Sequence, residues 1–66
     1  MTIDEIRERV EIIRGLSDDP ERAHGVEDEL HQAVLDAIAK GLCVDPAACA
    51  AEALKTLELA FPRWYA

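Results

Sequence analysis

Basic residues are scarce in this chain: 7 Lys and Arg stand against 14 Asp and Glu, for a net charge of −7. Direct phosphate binding needs clustered Lys and Arg, so the balance excludes a conventional DNA- or RNA-binding surface. Long apolar runs are missing as well. Nothing approaches the ~18 residues of a membrane span, and no basic segment leads into an apolar stretch as in a signal peptide. Starting at Met1, the chain is expected to be cytoplasmic, with neither a nucleic acid nor a membrane as direct partner. Cysteine is limited to Cys43 and Cys49, too few for a disulfide scaffold. Helical geometry would point this pair apart, so both are expected as reduced thiols. Only three aromatic residues occur, Phe61, Trp64 and Tyr65, all in the last six positions.

What is present is a chain of 66 residues, long enough for one domain and no second core. Leu, Ile, Val and Phe make up 17 of the 66, above the ~20% below which a charged chain tends to stay disordered. The core is nevertheless lean, because 11 of the 33 hydrophobic residues are alanine. A small core of this kind gains from self-association or from a partner, which makes a homodimer one expectation. Acidic charge is uneven: residues 1–29 hold 10 acids and 4 bases, residues 30–66 only 4 acids and 3 bases.

The punctuation predicts an all-α, small three-helix bundle with a short aromatic C-terminal tail, a single domain with helices over about 3–14, 20–40 and 46–60. Thr2-Ile3-Asp4-Glu5 reads as a capping box, with Glu5 reaching back to the Thr2 backbone. Gly15 reads as the stop of the first helix, adopting positive φ. Asp19-Pro20 and Asp45-Pro46 are matched starts, with Asp as N-cap and Pro at the first helical position. Gly41 closes the second helix, and Pro62 stops the third.

At about 100° per residue, Ile3, Ile6, Val10 and Ile13 form the first apolar stripe, opposite Asp4, Glu8 and Glu11. Ala23, Val26, Leu30, Ala33, Val34, Ala37 and Ile38 form the second. Ala50, Leu54, Leu57 and Phe61 form the third. Ile12 and Leu59 stand off their faces. Such stripes with short connections make an antiparallel bundle. Trp64 is expected to fold back as a plug over the open end of the core, or else to serve as an exposed anchor for a partner.

The cluster that stands out chemically is His24, Glu27, Asp28 and His31, which share one flank of the second helix. Glu27 falls inside the apolar stripe, where a carboxylate needs a partner, and His31 one turn on is the expected one. The two histidines are seven residues apart, roughly 10 Å along a helix axis, too far to share an ordinary mononuclear metal site. Adding Cys43 and Cys49 makes no finger spacing, so no metal or other cofactor is expected. A His–carboxylate pair is the start of acid–base chemistry, but no nucleophile or Gly-rich element accompanies it, and so small a bundle has little room for a pocket. The cluster therefore reads as a polar seam that specifies helix packing.

The run Asp19-Pro20-Glu21, Ala23-His24, Glu27-Asp28, Leu30-His31, Val34-Leu35, Ala37-Ile38-Ala39, Asp45-Pro46-Ala47, Ala53-Leu54-Lys55-Thr56, Phe61 and Arg63-Trp64 resembles a group of short acidic proteins from actinobacteria and actinobacteriophages (mycobacteriophage-like) of unassigned function. It covers roughly residues 18–66. The resemblance implies a compact cytosolic helical protein and transfers no catalytic residue; for a phage protein it implies action on a host protein, in the host cytoplasm. Together these readings predict a protein, not an enzyme, that binds another protein through His24, Asp28, His31, Arg63 and Trp64, with the Trp64 ring as anchor and the polar groups as orienting contacts. The alternative is an acidic nucleic-acid mimic that occupies a DNA-binding protein's basic surface through the face Asp4, Glu8 and Glu11.

Overall fold

A computed structural model of the chain describes residues 1–63. It is a domain of three packed helices, α1 (Ile3–Gly15), α2 (Pro20–Ala39) and α3 (Pro46–Ala53), with a 3₁₀ segment (Leu54–Glu58) continuing α3. Each helix packs on the other two, and there is no strand among the described residues.

Both Asp-Pro starts form as expected. The Asp19 side chain accepts from the Arg22 backbone N–H, and Asp45 accepts from that of Ala48, with proline inside the first turn of each helix. Thr2 caps α1 by accepting from the Glu5 N–H at 3.2 Å. The return half of the box differs: Glu5 accepts from the Thr2 hydroxyl at 3.3 Å, not from the Thr2 backbone. At the end of α2, Gly41 takes φ +70°. Its N–H reaches Ile38 O, and the Leu42 N–H reaches Ala37 O at 2.8 Å. This is a Schellman closure, which needs a left-handed residue at that position. Gly15 does not play that part. It stays within α1, and the Leu16 N–H closes onto Ile13 O instead.

Ile6, Val10 and Ile13 of α1 meet Ala23, Leu30 and Val34 of α2 and Cys49 and Ala53 of α3 in one core, with Leu59 and Phe61 sealing its end. The first two stripes are where periodicity put them. The third is not. Leu54 and Leu57 are 56% and 58% exposed, while Ala53 and Thr56 are buried. The cause is a change of winding. A 3₁₀ segment turns about 120° per residue in place of 100°, so Leu54 and Leu57 eclipse one another on the outside and Thr56 rotates inward. The helix expected over 46–60 thus ends as an α-helix at Ala53. Leu59, expected off the apolar face, is buried because the chain turns back after Glu58. Ile12 remains exposed, so the two do not form a joint surface patch.

Candidate functional site

The flank of α2 that the sequence singles out becomes a buried polar seam between α2, the 3₁₀ segment and the tail. Glu27 is 2% exposed and Thr56 0%. A carboxylate in that position must be neutralised and hydrogen-bonded, and Arg63 does both. Arg63 Nε donates to Glu27 Oε1 at 2.8 Å and Nη2 to Oε2 at 3.0 Å, a bidentate pair of the kind guanidinium geometry favours. Its remaining donors reach backbone carbonyls: Nη2 to Thr56 O at 2.7 Å, Nη1 to Leu59 O at 3.3 Å and Phe61 O at 3.2 Å. The guanidinium carbon also lies 4.0 Å from the Phe61 ring centroid, within cation–π range. One side chain therefore satisfies the carboxylate and the carbonyls freed where the helix stops. The partner of Glu27 is Arg63, not His31 as one-turn spacing suggested.

His31 joins the seam through Thr56. Its Nε2 lies 2.9 Å from Thr56 Oγ1 and 3.4 Å from Ala53 O. A carbonyl only accepts, so the tautomer that satisfies both oxygens is the one with the proton on Nε2. In that tautomer the Thr56 hydroxyl keeps its own proton for the Glu27 carboxylate, whose pKa it lowers. Burial pushes the Glu27 carboxyl up, but the Arg63 and Thr56 hydrogen bonds and the Arg63 and His31 charges outweigh it and hold the group below the usual carboxylate range.

A second buried carboxylate, Glu52 of α3, sits between Arg7 of α1 and Lys55, each with nitrogen 3.0 Å away. Lys55 and Arg7 hold its carboxyl low against the opposing effect of burial. This clamp ties α1 to α3. The only trace of it in the sequence is a charged residue inside an alanine run.

The expected binding residues separate. Asp28 is exposed, with His24 Nε2 3.5 Å from its carboxylate; His24 and His31 are half-buried. Arg63 is turned inward. Trp64 lies outside the described residues, as does the choice between plug and anchor. Cys43 and Cys49 are both free thiols, one half-buried and one buried, and the Cys49 thiol lies toward Met1 O at 3.9 Å. The loop after Gly41 carries Cys43 against the first turn of α3, and burial together with the Cys49 thiol pushes the Cys43 thiol up.

No three His, Cys, Asp or Glu side chains among the described residues are placed to share a metal ion, and no helix is long and apolar enough to cross a membrane. A concavity of about 490 Å³ lies between α1 and the end of α3 with its 3₁₀ segment, where Arg7, Arg14 and Lys55 alternate with Glu11, Glu52 and Glu58. Its cations are already committed: Arg7 and Lys55 to Glu52, Arg14 to Glu11 at 3.2 Å. A smaller groove of about 280 Å³ between α2 and α3 is of another kind. His31, Val34, Leu35, Ala50, Ala53 and Leu54 line it, and His31 is the one polar side chain among them. Leu35, at its edge, is 66% exposed. The signal that marks it in the sequence is Leu35 itself, an apolar residue outside the second stripe. In comparisons with known proteins, no family model, no curated protein and no solved structure matches the chain.

Proposed function

We propose that this protein acts by binding another protein rather than by catalysis. The observation that carries the reading is the exposed apolar groove between α2 and α3, with Leu35 and Leu54 on its walls. Single exposed leucines are ordinary, but several on one side of a domain with so lean a core amount to apolar surface left for a contact. Of the polar residues the sequence put forward, the half-buried His31 lines the groove and the exposed Asp28 stands about one turn before it on α2; both serve as orienting contacts. His24 pairs with Asp28. Arg63 supports the surface from inside through its pair with Glu27.

The resemblance to actinobacterial and phage proteins makes a host protein the natural partner. Affinity capture from an actinobacterial extract at low and high salt tests the reading, run in parallel with the Leu35→Asp/Leu54→Asp variant. One protein retained by the wild type at both salts, and lost by the variant, is the expected result. No specific protein, or equal retention by the variant, removes the reading.

The nucleic-acid mimic is the weaker alternative. Asp4 lies 3.8 Å from Arg7 and Glu11 3.2 Å from Arg14, so two of its three acids share their charge with a neighbouring guanidinium. Capture of a DNA-binding protein at low salt only, abolished by Glu8→Gln/Glu11→Gln, would favour it.

A further inference from the structure

Resting on the protein-binding reading, we infer that the α2–α3 groove takes an amphipathic helix whose apolar stripe is flanked by Lys or Arg. The shape of the groove argues for a helix. Side chains of α2, of α3 and of Leu54, the first residue of the 3₁₀ segment, line it, so it is the valley between two helical elements with no α1 residue in its lining. A third helix fills such a valley by setting its side-chain ridge between theirs. Val34 and Ala53, both buried, form the floor, and the exposed Leu35 and Leu54 the walls. Leu57 eclipses Leu54 across the 3₁₀ turn and lengthens one wall.

Charge selects the kind of helix. On α2, Asp28 stands seven positions before Leu35 and Glu21 fourteen, which keeps both on the same helix face. Both are exposed, and so is Glu29. None of the three is within 4.0 Å of a Lys or Arg nitrogen among the described residues; His24 is the partner of Asp28. The strip beyond Leu35 is therefore acidic with little local compensation. A second copy of this chain brings the same acids, and a net charge of −7, to the contact. An acidic helix meets the same repulsion. A helix with cationic flanks gains at each of these positions while its leucine-type stripe covers Leu35, Ala50, Leu54 and Leu57.

The probe is an amidated peptide of about 14 residues, ~20 Å of helix, with Leu at helical spacing and Lys elsewhere. Its controls are the same peptide with Glu for Lys, and a Leu/Lys peptide of identical composition with the spacing scrambled. Backbone amide NMR of the labelled protein reads the site. The expected result is shifts centred on Leu35, Ala50, Ala53, Leu54 and Leu57, with Asp28 at the edge. Leu35→Asp should weaken binding by about tenfold or more, and both control peptides should bind much more weakly.

Equal binding of the scrambled peptide, or shifts spread over α1, would reduce the interaction to charge attraction and overturn the inference. So would preference for the Glu peptide, or concentration-dependent self-association through the same residues, which would assign the groove to a second copy. If the Lys peptide fails while the groove variant still loses its captured protein, this inference falls and the protein-binding reading stands. If the variant loses nothing, both fall.

Discussion

Two strips run side by side along α2, one holding a buried carboxylate, Glu27, and the other an exposed leucine, Leu35. The strip through Glu27 and His31 faces inward and is charged and hydrogen-bonded, ending on Arg63 and Thr56. On the outward side Leu35 faces Leu54 across an apolar groove, and the same helix face turns acidic at Asp28 and Glu21. A domain that only had to fold would place the leucines inside and the acids outside. The inward strip shows what closes this fold: a carboxylate that gathers the returning tail and the end of α3 onto the middle of α2. The outward strip shows what folding leaves unused. The comparison separates residues that hold the structure from residues available to a partner, and it makes opposite forecasts for the two.

The largest effect is expected at Glu27. Glu27→Ala removes the buried carboxylate that the Arg63 guanidinium grips with two hydrogen bonds, a change of about 3–4 kcal/mol for a broken buried pair. A domain of this length has about 3–10 kcal/mol in all, so the urea midpoint should fall steeply or the transition vanish. A midpoint unchanged from wild type would erase the distinction between the strips.

The same carboxylate sets a pH dependence. Its folded-state pKa is depressed, so its contribution is complete above the unfolded value and is lost as pH falls through the folded one. Stability should hold from pH 7 to about 5 and decline below about 4.5, and Glu27→Gln should flatten that decline. Equal acid slopes in the two proteins would assign the titration elsewhere, Glu52 being the next buried carboxylate with a lowered pKa.

Thr56→Val sharpens the picture at smaller scale. It keeps the volume but removes the hydroxyl between His31 and Glu27, at about 1–2 kcal/mol. Thermal denaturation should detect this, together with an upfield or downfield displacement of the His31 Nε2–H resonance as it is left with Ala53 O alone. An unmoved resonance would contradict the placement of the proton on Nε2.

Local rules made much of this fold legible. Asp19-Pro20 and Asp45-Pro46 name their helix starts because the cap and the proline act within one turn, and Gly41 names a stop for the same reason. Glu27 was legible as a problem, a carboxylate inside an apolar stripe, but not its solution. Arg63 lies 36 positions away, and periodicity carries no information about where a tail returns. Leu54 and Leu57 were misplaced because a wheel assumes constant winding. The switch to 3₁₀ geometry accompanies tertiary contacts, the His31 and Arg63 bonds to the carbonyls of Ala53, Thr56 and Leu59. The groove was half visible in Leu35, whose meaning depended on Leu54 being exposed across from it.

The most direct test of the central claim is the unfolding free energy of Leu35→Asp/Leu54→Asp against wild type, from urea melts at two protein concentrations. If these leucines are reserved for a partner, the variant should unfold cooperatively within about 0.5 kcal/mol of wild type, with midpoints independent of concentration. A loss beyond about 2 kcal/mol, or a wild-type midpoint that rises with concentration, would mean that the outward strip already holds this protein together.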